Sequence, residues 1–313
     1  MKQQNLTTKI LLPIDGSENS RRALKFAGQL GSSLGKSLSG ITLFHVAAGG
    51  YMSHHLGYID FWAMDLTQSE AFQKQYFNEK VKPLLEEGER ILKESGIKVE
   101  IEKQVADGDP AREIVQLANK ENFSTIIMAR RGLSEIKGFF LGSVSSGVVH
   151  TASRQTVYIV GHKVLEDNKC PIPRILIPVD GSPYSMKGVE HAVYLSSRLE
   201  GITKITLLKV INLALYIERL KEGVDHEDEA QRILEDARTV FLRAGISEGL
   251  IDTRVEIGIP YEEILREAEE GNYNLIIMGR KGRSAIKDLL LGGVSPTVLQ
   301  RCQNPTVAIV SGE

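Results

Sequence analysis

Residues 125–145 read TIIMARRGLSEIKGFFLGSVS, and residues 275–295 repeat the pattern as LIIMGRKGRSAIKDLLLGGVS. Each stretch begins with an apolar run that predicts a buried β-strand. A turn with glycine and basic residues follows, and nine residues later a second small-residue turn predicts the start of a helix. Glycine lets backbone amides approach a ligand, and the first turn of a helix has N–H groups without intrahelical partners. The chain therefore predicts, twice, a backbone site for phosphate.

The repeat extends along most of the chain. Residues 9–17 match residues 174–182, and both end in Asp-Gly-Ser. Short apolar runs alternate with amphipathic helical patterns in each copy, which indicates parallel strands covered by helices on both faces. Each copy is thus predicted to be a doubly wound α/β domain with a five-stranded parallel sheet. The predicted strands of the first copy are residues 10–14, 40–46, 98–105, 125–128 and 157–160.

The domain boundaries follow from the two copies. The first domain is predicted at residues 1–162 and the second at residues 174–313, with a linker at residues 163–173 that is charged and ends in a proline-rich run. The first copy has an insertion at about residues 47–77 that carries aromatic and histidine residues. The insertion is interpreted either as a lid or partner-binding flap, or as an elaborated surface element of its own domain.

The composition of the chain excludes several classes of protein. The 313 residues suffice for about two domains, and the formal net charge of −2 argues against non-specific nucleic-acid binding. No apolar run is long enough to span a bilayer, and the first residues have no signal-peptide core. The two cysteines, Cys170 and Cys302, are not clustered and are expected to be free thiols. A cytoplasmic protein without nucleic-acid or membrane partners is therefore expected.

Several pieces of each copy are expected at the carboxyl edge of its sheet, where ligands of such folds bind. Asp15 and Asp180 follow the first strands and are candidates for contact with a ribose or an adenine amine, or for capping the next helix; both roles are compatible. The backbone at Val46 and Val210 closes the second strands. No Ser-His-Asp set or carboxylate pair emerges from the spacing, so no catalytic residue and no metal ligand are assigned.

This combination resembles the universal stress protein family in its tandem-domain form. That family carries Gly-x-x-Gly, nine residues, and then Gly-Ser or Gly-Thr after its fourth strand, with Pro-x-Asp ending the first strand and commonly His-Val ending the second. The resemblance covers nearly the whole chain, once per half. It implies a Rossmann-like fold that binds ATP or a related adenine nucleotide such as AMP or ADP, and it allows Mg²⁺ to accompany the phosphates.

The resemblance places adenine and ribose near the aspartates and second-strand valines, and the phosphates on the two turns after strand four. The implied ligand-binding residues of the first copy are Pro13, Asp15, Val46, Met128, Ala129, Arg130, Gly132, Gly142, Ser143, Val144 and Ser145. Those of the second copy are Pro178, Asp180, Val210, Met278, Gly279, Arg280, Gly282, Gly292, Gly293, Val294 and Ser295.

Neither copy matches the family pattern fully. Ala129 stands at the first glycine of copy one, where its methyl would crowd a ligand or forbid a positive φ, but would be harmless at negative φ. Gly293 stands at the hydroxyl position of copy two, which removes one donor. Copy two is expected to bind slightly better, and both copies are expected to bind.

The resemblance also has implications for assembly and function. Relatives pair through their last strands, so residues 157–160 and 307–310 are expected to join the two halves within the chain, and a homodimer is a further option. The leading hypothesis is a nucleotide-binding stress-response or signalling module with an unidentified protein partner. The alternatives are an interaction scaffold that has lost nucleotide binding in one or both halves, and a slow ATPase.

Overall fold

The structure is a computed structural model that describes residues 8–48, 74–131, 141–163, 170–220, 226–281 and 293–311. We refer to the described residues up to 163 as half one and to those from 170 as half two. The insertion at about residues 47–77 lies mostly outside the described residues, and its predicted role stays a prediction.

Each half alternates strands with helices. The strands of half one are β1 (Thr8–Pro13), β2 (Leu38–Ala48), β3 (Ile101–Gly108), β4 (Thr125–Ala129) and β5 (Thr156–Val160). Its helices are α1 (Glu18–Leu34), α2 (Lys82–Glu94, which continues a π-helical turn at Phe77–Val81), α3 (Pro110–Lys120) and α4 (Ser143–Thr151). The strands of half two are β6 (Arg174–Pro178), β7 (Lys204–Asn212), β8 (Ile251–Gly258), β9 (Leu275–Gly279) and β10 (Thr306–Val310). Its helices are α5 (Pro183–Ser196), α6 (Leu213–Leu220), α7 (His226–Arg243), α8 (Pro260–Glu270) and α9 (Val294–Arg301).

The described strands form one ten-stranded sheet in the order β3-β2-β1-β4-β5-β10-β9-β6-β7-β8. The strands within each half are parallel, whereas β5 and β10 pair antiparallel with Tyr158 opposite Ala308. This order confirms the predicted pair of doubly wound α/β units. The last strands join the halves, as the family resemblance implied.

Local sequence accounts for the helix starts. Ser17 and Ser182 are the N-caps of α1 and α5, and each side-chain oxygen accepts the backbone N–H three residues on at 3.1 Å. The Asp109 carboxylate caps α3 in the same way by accepting the Arg112 N–H at 2.9 Å. Proline occupies the first position of α3, α5 and α8, where its missing N–H costs no helical bond.

Helices cover both faces of the sheet and bury two apolar clusters. One face packs against α1, α2, α5 and α7 through side chains such as Phe26, Leu92 and Phe241. The other packs against α3, α4, α8 and α9 through side chains such as Ile114 and Leu299. Side chains buried on both faces explain why the strands read as nearly continuous apolar runs.

The seam between the halves also contains polar contacts. The backbone N–H groups of His162 and Lys163 donate to the carbonyls of Gln303 and Asn304, both at 2.9 Å. The Tyr158 hydroxyl lies 2.5 Å from Nε2 of His191. Burial lowers the pKa of His191 to about 4, so the imidazole is neutral at physiological pH. These contacts fix the two halves on one another.

Some predicted boundaries were wrong. The third strand begins at Ile101 rather than residue 98, because Gly96, at φ 88, ends α2 and the Ile97 N–H still bonds the Leu92 carbonyl (3.2 Å). The second strand runs two residues beyond Val46, since its pairing with β3 continues to Ala48.

The end of the predicted linker is part of the fold core. Cys170 and Ile172 are buried in the cluster that α5 and α7 cover, and both cysteines of the chain are free and buried. The linker boundaries themselves stay a prediction. Among the described helices, none is both long and apolar enough to cross a bilayer.

Candidate functional site

The strand order creates a crevice at the carboxyl edge of each half. β1 pairs with β2 on one side and with β4 on the other, so the connections leaving β1 and β4 run to opposite faces of the sheet. β6 and β9 repeat this arrangement in half two. Ligands of doubly wound folds bind at this reversal point, outside the carboxyl ends of the strands. The predicted site residues that the structure describes lie on the segments that border it.

The Asp-Gly-Ser turns that follow β1 and β6 are built alike. The Asp15 carboxylate accepts the Ser17 N–H at 3.0 Å and the Ser17 hydroxyl at 2.7 Å. In half two, the Asp180 carboxylate accepts the Ser182 N–H at 2.9 Å. The glycine between them has φ 82 in half one and φ 79 in half two, a left-handed conformation that glycine adopts without strain. The serine is therefore the helix cap, and the aspartate carboxylate holds that serine in place by accepting its N–H.

A second serine supports each turn, and the sequence reasoning missed it. The Asp15 N–H donates to the Ser20 hydroxyl at 3.3 Å, and the Asp180 N–H donates to the Ser185 hydroxyl at 3.3 Å. Both serines are buried. The repetition of Ser-x-x-Ser after both aspartates was the sequence signal that identifies them.

The residues around the strand ends present mainly backbone. Pro13 and Pro178 are the last residues of β1 and β6, and the next N–H bonds the neighbouring strand at 2.8 Å. Val46 and Val210 lie within β2 and β7, half-buried against the core. The side chains of Met128 and Met278 are buried, so any contact of these methionines with a ligand would involve the backbone.

The second predicted turn is the start of α4 in half one and of α9 in half two. Gly142 is the N-cap of α4, and the first intrahelical bond runs from the Ser146 N–H to the Gly142 carbonyl at 2.9 Å. The N–H groups of Ser143, Val144 and Ser145 precede that bond and have no partner within the helix. In half two, the residues that correspond to Ser143, Val144 and Ser145 are Gly293, Val294 and Ser295, and Gly293 is the N-cap of α9. These first turns carry the partial positive charge of a helix N-terminus.

The buried serines of these turns anchor the helices. The Ser145 hydroxyl donates to the Ala129 carbonyl at 2.8 Å, and the Ser295 hydroxyl donates to the Gly279 carbonyl at 3.1 Å. A hydroxyl has one hydrogen to donate, so these two serines are engaged with strand ends. Ser143, in contrast, is exposed at the first position of α4.

The departures Ala129 and Gly293 have structural explanations. Asn122 and Asn272 are the described non-glycine residues with positive φ, so Ala129 adopts an ordinary backbone conformation, and its methyl packs against the core. A Cβ built on Gly293 meets no atom within 4 Å, and its φ is −70°. Ala129 is therefore not a sign that half one has lost its ligand site, and a serine side chain would fit at Gly293.

The sequence predicted that Arg130 and Arg280 contact phosphate, whereas the structure places both side chains at the seam between the halves. Both are buried, with 4 % and 6 % of their surface exposed. Arg130 donates to the Leu299 carbonyl of half two, and Arg280 donates to the Ala152 and His150 carbonyls of half one. Their guanidinium groups thus cross the seam, although their backbones border the crevices.

Three predicted glycines, Gly132, Gly282 and Gly292, lie outside the described residues. The described part of the chain contains no group of three or more His, Cys, Asp or Glu side chains placed to hold a metal ion.

Together, the fold and the site define a tandem Rossmann-like α/β protein with a crevice at the carboxyl edge of each half. The family profile described as "Usp: Universal stress protein family" matches residues 7–160 and again residues 171–310. The chain belongs to the universal stress protein family.

Three relatives illustrate the match. A universal stress protein of Mycolicibacterium smegmatis is 25% identical over 306 residues, which cover 96% of both chains. The crystal structure of a universal stress protein from Archaeoglobus fulgidus superimposes with a TM-score of 0.68 at 26% identity, covering 99% of each chain. A solved universal stress protein in complex with cAMP matches 44% of this chain and 95% of its own, at 23% identity and a TM-score of 0.33.

Proposed function

We propose that each half binds one adenine nucleotide, ATP or its relatives ADP and AMP, and that occupancy sets the conformation of a stress-response or signalling module. The observation that carries the proposal is the duplicated crevice at the reversal of strand order. In both halves, an aspartate that accepts a hydrogen bond from the next helix cap follows the first strand, and a helix N-terminus follows the fourth. Membership of the universal stress protein family supports the same assignment.

The donor set suits a nucleotide. The first-turn N–H groups of α4 and α9 would receive phosphate oxygens. Asp15 and Asp180 offer carboxylate oxygens, which accept hydrogen bonds from ribose hydroxyls or an adenine amine. Where Mg²⁺ accompanies ATP, phosphate oxygens and water would hold it.

Both crevices are proposed to be competent, and half one is proposed to bind more tightly. Half one keeps the exposed Ser143 hydroxyl, and the Ala129 methyl packs into the core. This reverses the slight preference for copy two that the sequence suggested, because the methyl was the reason for that preference.

Isothermal titration with ATP, ADP, AMP and cAMP tests the proposal. Two variants block one half each: Ser143→Asp in half one and Gly293→Asp in half two. An aspartate is favourable at a helix N-terminus but repels a phosphate, so folding is preserved while binding is lost. The native protein is expected to bind two nucleotides, each variant one, and the double variant none. The proposal would be contradicted by dissociation constants above about 1 mM for every nucleotide, or by unchanged binding to the double variant.

The nucleotide that the protein carries when purified would identify the preferred ligand. Mass spectrometry of the native protein and of the double variant is expected to show an adenine nucleotide in the first sample alone. An identical set of small molecules in both samples would disfavour the crevices as the binding sites and favour the scaffold hypothesis.

A further inference from the structure

Each half extends one buried arginine into the other half. Arg130 follows β4 and its Nη1 donates to the Leu299 carbonyl in the last turn of α9. Arg280 follows β9, and its two terminal nitrogens donate to the carbonyls of Ala152 and His150 at the end of α4. The exchange is reciprocal, in agreement with the antiparallel pairing of β5 and β10 at the seam.

These contacts join the two crevices. The Arg130 carbonyl accepts the Gly142 N–H at 2.9 Å, so Arg130 borders the first turn of α4 in half one. Its side chain holds the last turn of α9, whose first turn borders the crevice of half two. Arg280 makes the opposite connection, from the end of β9 to the last turn of α4. α4 and α9 have nine and eight residues, about 12–14 Å at 1.5 Å per residue, so the two ends of each helix lie close together.

The burial of the arginines makes the connection stiff. Burial is the main cause that lowers the pKa of both guanidinium groups, which indicates that each cation sits in a poorly solvated position. Nε and Nη2 of Arg130 have no hydrogen-bond partner, so the Leu299 carbonyl is the acceptor this cation has among the described residues. A shift of the Arg130 segment must either carry α9 with it or leave a buried cation without any acceptor, which is costly.

The two connections differ in strength. Arg280 also lies 3.4 Å from the Ser311 hydroxyl, which has no counterpart in half one because Gly161 occupies that position. A Cβ at Gly161 would come within 2.2 Å of the Asn304 carbonyl oxygen, so the close seam excludes a serine there. The connection through Arg130 therefore has fewer bonds than the connection through Arg280.

We propose that Arg130 and Arg280 are positioning residues that couple the two crevices, so that a nucleotide bound in one half raises the affinity of the other. A phosphate on one first turn fixes the adjoining arginine segment, which in turn fixes the helix that carries the other first turn. The second nucleotide then binds to a site that is already ordered. This inference rests on the proposed function, because it requires that both crevices bind.

Titration of the native protein and of the two blocked variants tests the coupling. The Ser143→Asp protein gives the ATP affinity of half two while half one is empty, and the Gly293→Asp protein gives the reverse. These two constants predict the native titration for independent sites. We expect the second ATP to bind the native protein at least about five-fold more tightly than predicted. A native curve that matches independent sites overturns the coupling and leaves the proposed function standing, whereas absence of binding in the native protein overturns both.

The arginine variants test the route. Arg130→Gln and Arg280→Gln are each titrated alone and with either blocking variant. The affinity for the second ATP is then expected to lie within about two-fold of the value predicted for independent sites. Arg198→Gln is the matched control, since the Arg198 Nε also donates across the seam, to the Ser37 hydroxyl at 3.1 Å, but contacts neither α4 nor α9. Coupling that persists in the Arg130 and Arg280 variants, or is lost equally in Arg198→Gln, overturns the arginine route.

Hydrogen exchange provides a measurement that needs no arginine variant. In the Gly293→Asp protein, ATP occupies half one alone, and the route predicts slower exchange in half two at the Cys302 amide, which bonds the Val298 carbonyl at 2.8 Å. In the Ser143→Asp protein, ATP should slow exchange of the Ala152 amide, which bonds the Val148 carbonyl at 2.8 Å. Protection confined to the half that holds the nucleotide overturns the inference.

Discussion

The end of β9 packs more closely on its covering helix than the end of β4 does. A Cβ on Gly279 would come within 2.3 Å of the Tyr184 carbonyl oxygen in the first turn of α5, and a Cβ on Gly188 of α5 would lie 3.6 Å from the Gly279 nitrogen. Half one has alanines at both corresponding positions, Ala23 and Ala129. The first glycine of the repeated turn is thus required in half two by the contact between helix and strand. Its replacement in half one reflects a wider spacing of α1 rather than a damaged ligand site.

The halves also differ in the core next to α3 and α8. In half two, the buried Glu267 accepts hydrogen bonds from Arg254 at 2.7 Å and from the Tyr273 hydroxyl at 2.8 Å, and Tyr273 also lies 2.6 Å from the Thr206 hydroxyl. At the corresponding positions half one has Leu117, Gln104 and Phe123 in the places of Glu267, Arg254 and Tyr273. Half one therefore has the apolar residues Leu117 and Phe123 and a glutamine that donates to Glu121 at 3.0 Å, where half two has a buried polar network.

The largest expected effect comes from giving half two the alanine of half one. Gly279→Ala is expected to lower the free energy of unfolding by about 3 kcal/mol or more, because the methyl meets the backbone of α5, which cannot move aside like a flexible side chain. Urea denaturation measures the change. Ala129→Gly is the matched control and should cost about 1 kcal/mol or less. Equal losses in the two variants would show that the helix spacing does not differ between the halves.

The buried network predicts the next effect. Arg254→Gln introduces the residue of half one and leaves the Glu267 carboxylate, 1% exposed, without its cation. We expect the free energy of unfolding to fall by about 2 kcal/mol. This is less than for a fully buried ion pair, because the Arg254 side chain is 40% exposed. The triple variant Arg254→Gln, Glu267→Leu, Tyr273→Phe should recover most of the loss, since it leaves no buried carboxylate without a cation and replaces the Glu267–Tyr273 hydrogen bond with an apolar contact. A triple variant less stable than Arg254→Gln would contradict this interpretation.

Both the fold and the seam could be predicted from the sequence for identifiable reasons. Apolar strands alternating with capped helices predict a doubly wound sheet because each signal is local: Ser17 and Ser182 cap helices through the residue three positions on. The pairing of β5 with β10 followed from the family resemblance. The predicted start of β3 was wrong because the turn that ends α2 at Gly96 still holds the next residue. The Ile97 N–H bonds the Leu92 carbonyl of α2, although the apolar pattern there already resembles a strand.

The roles of Arg130 and Arg280 could not be predicted in this way. A basic residue beside a glycine turn suggests a phosphate contact, and the sequence contains no local signal that its side chain reaches carbonyls about 130–170 positions away. Ser145 and Ser295 were predicted as ligand-binding residues, which stays a prediction. The direction of their hydroxyls depends on the carbonyls of Ala129 and Gly279, which only the tertiary structure brings near.

An exchange of residues at the first helical turn sharpens the comparison of the crevices. Gly293→Ser restores the hydroxyl in half two, where the Cβ has open space, and Ser143→Gly removes it from half one. If this hydroxyl contacts phosphate, each change should alter the ATP affinity of its own half by about ten-fold, tighter for the first and weaker for the second. Titrations in the background that blocks the opposite half measure each constant. Changes below about two-fold in both would remove Ser143 from the proposed site.

The smallest expected effect is a pH dependence of the unfolding free energy that Tyr273 contributes and that a phenylalanine, as in half one at Phe123, does not. Burial, with the hydrogen bond to Glu267 as a further cause, raises the pKa of Tyr273 to about 12, above the value of about 10 for an unfolded tyrosine. The folded state thus favours the neutral phenol, and its contribution to stability is fully present below pH 10 and is lost as the pH rises towards 12. Tyr273→Phe lacks this loss, so the stability gap between native protein and variant should narrow by about 1 kcal/mol from pH 8 to pH 11. Urea titrations at both pH values measure the gap, and because the other tyrosines cancel in the difference, a constant gap would show that Tyr273 ionises equally easily in both states.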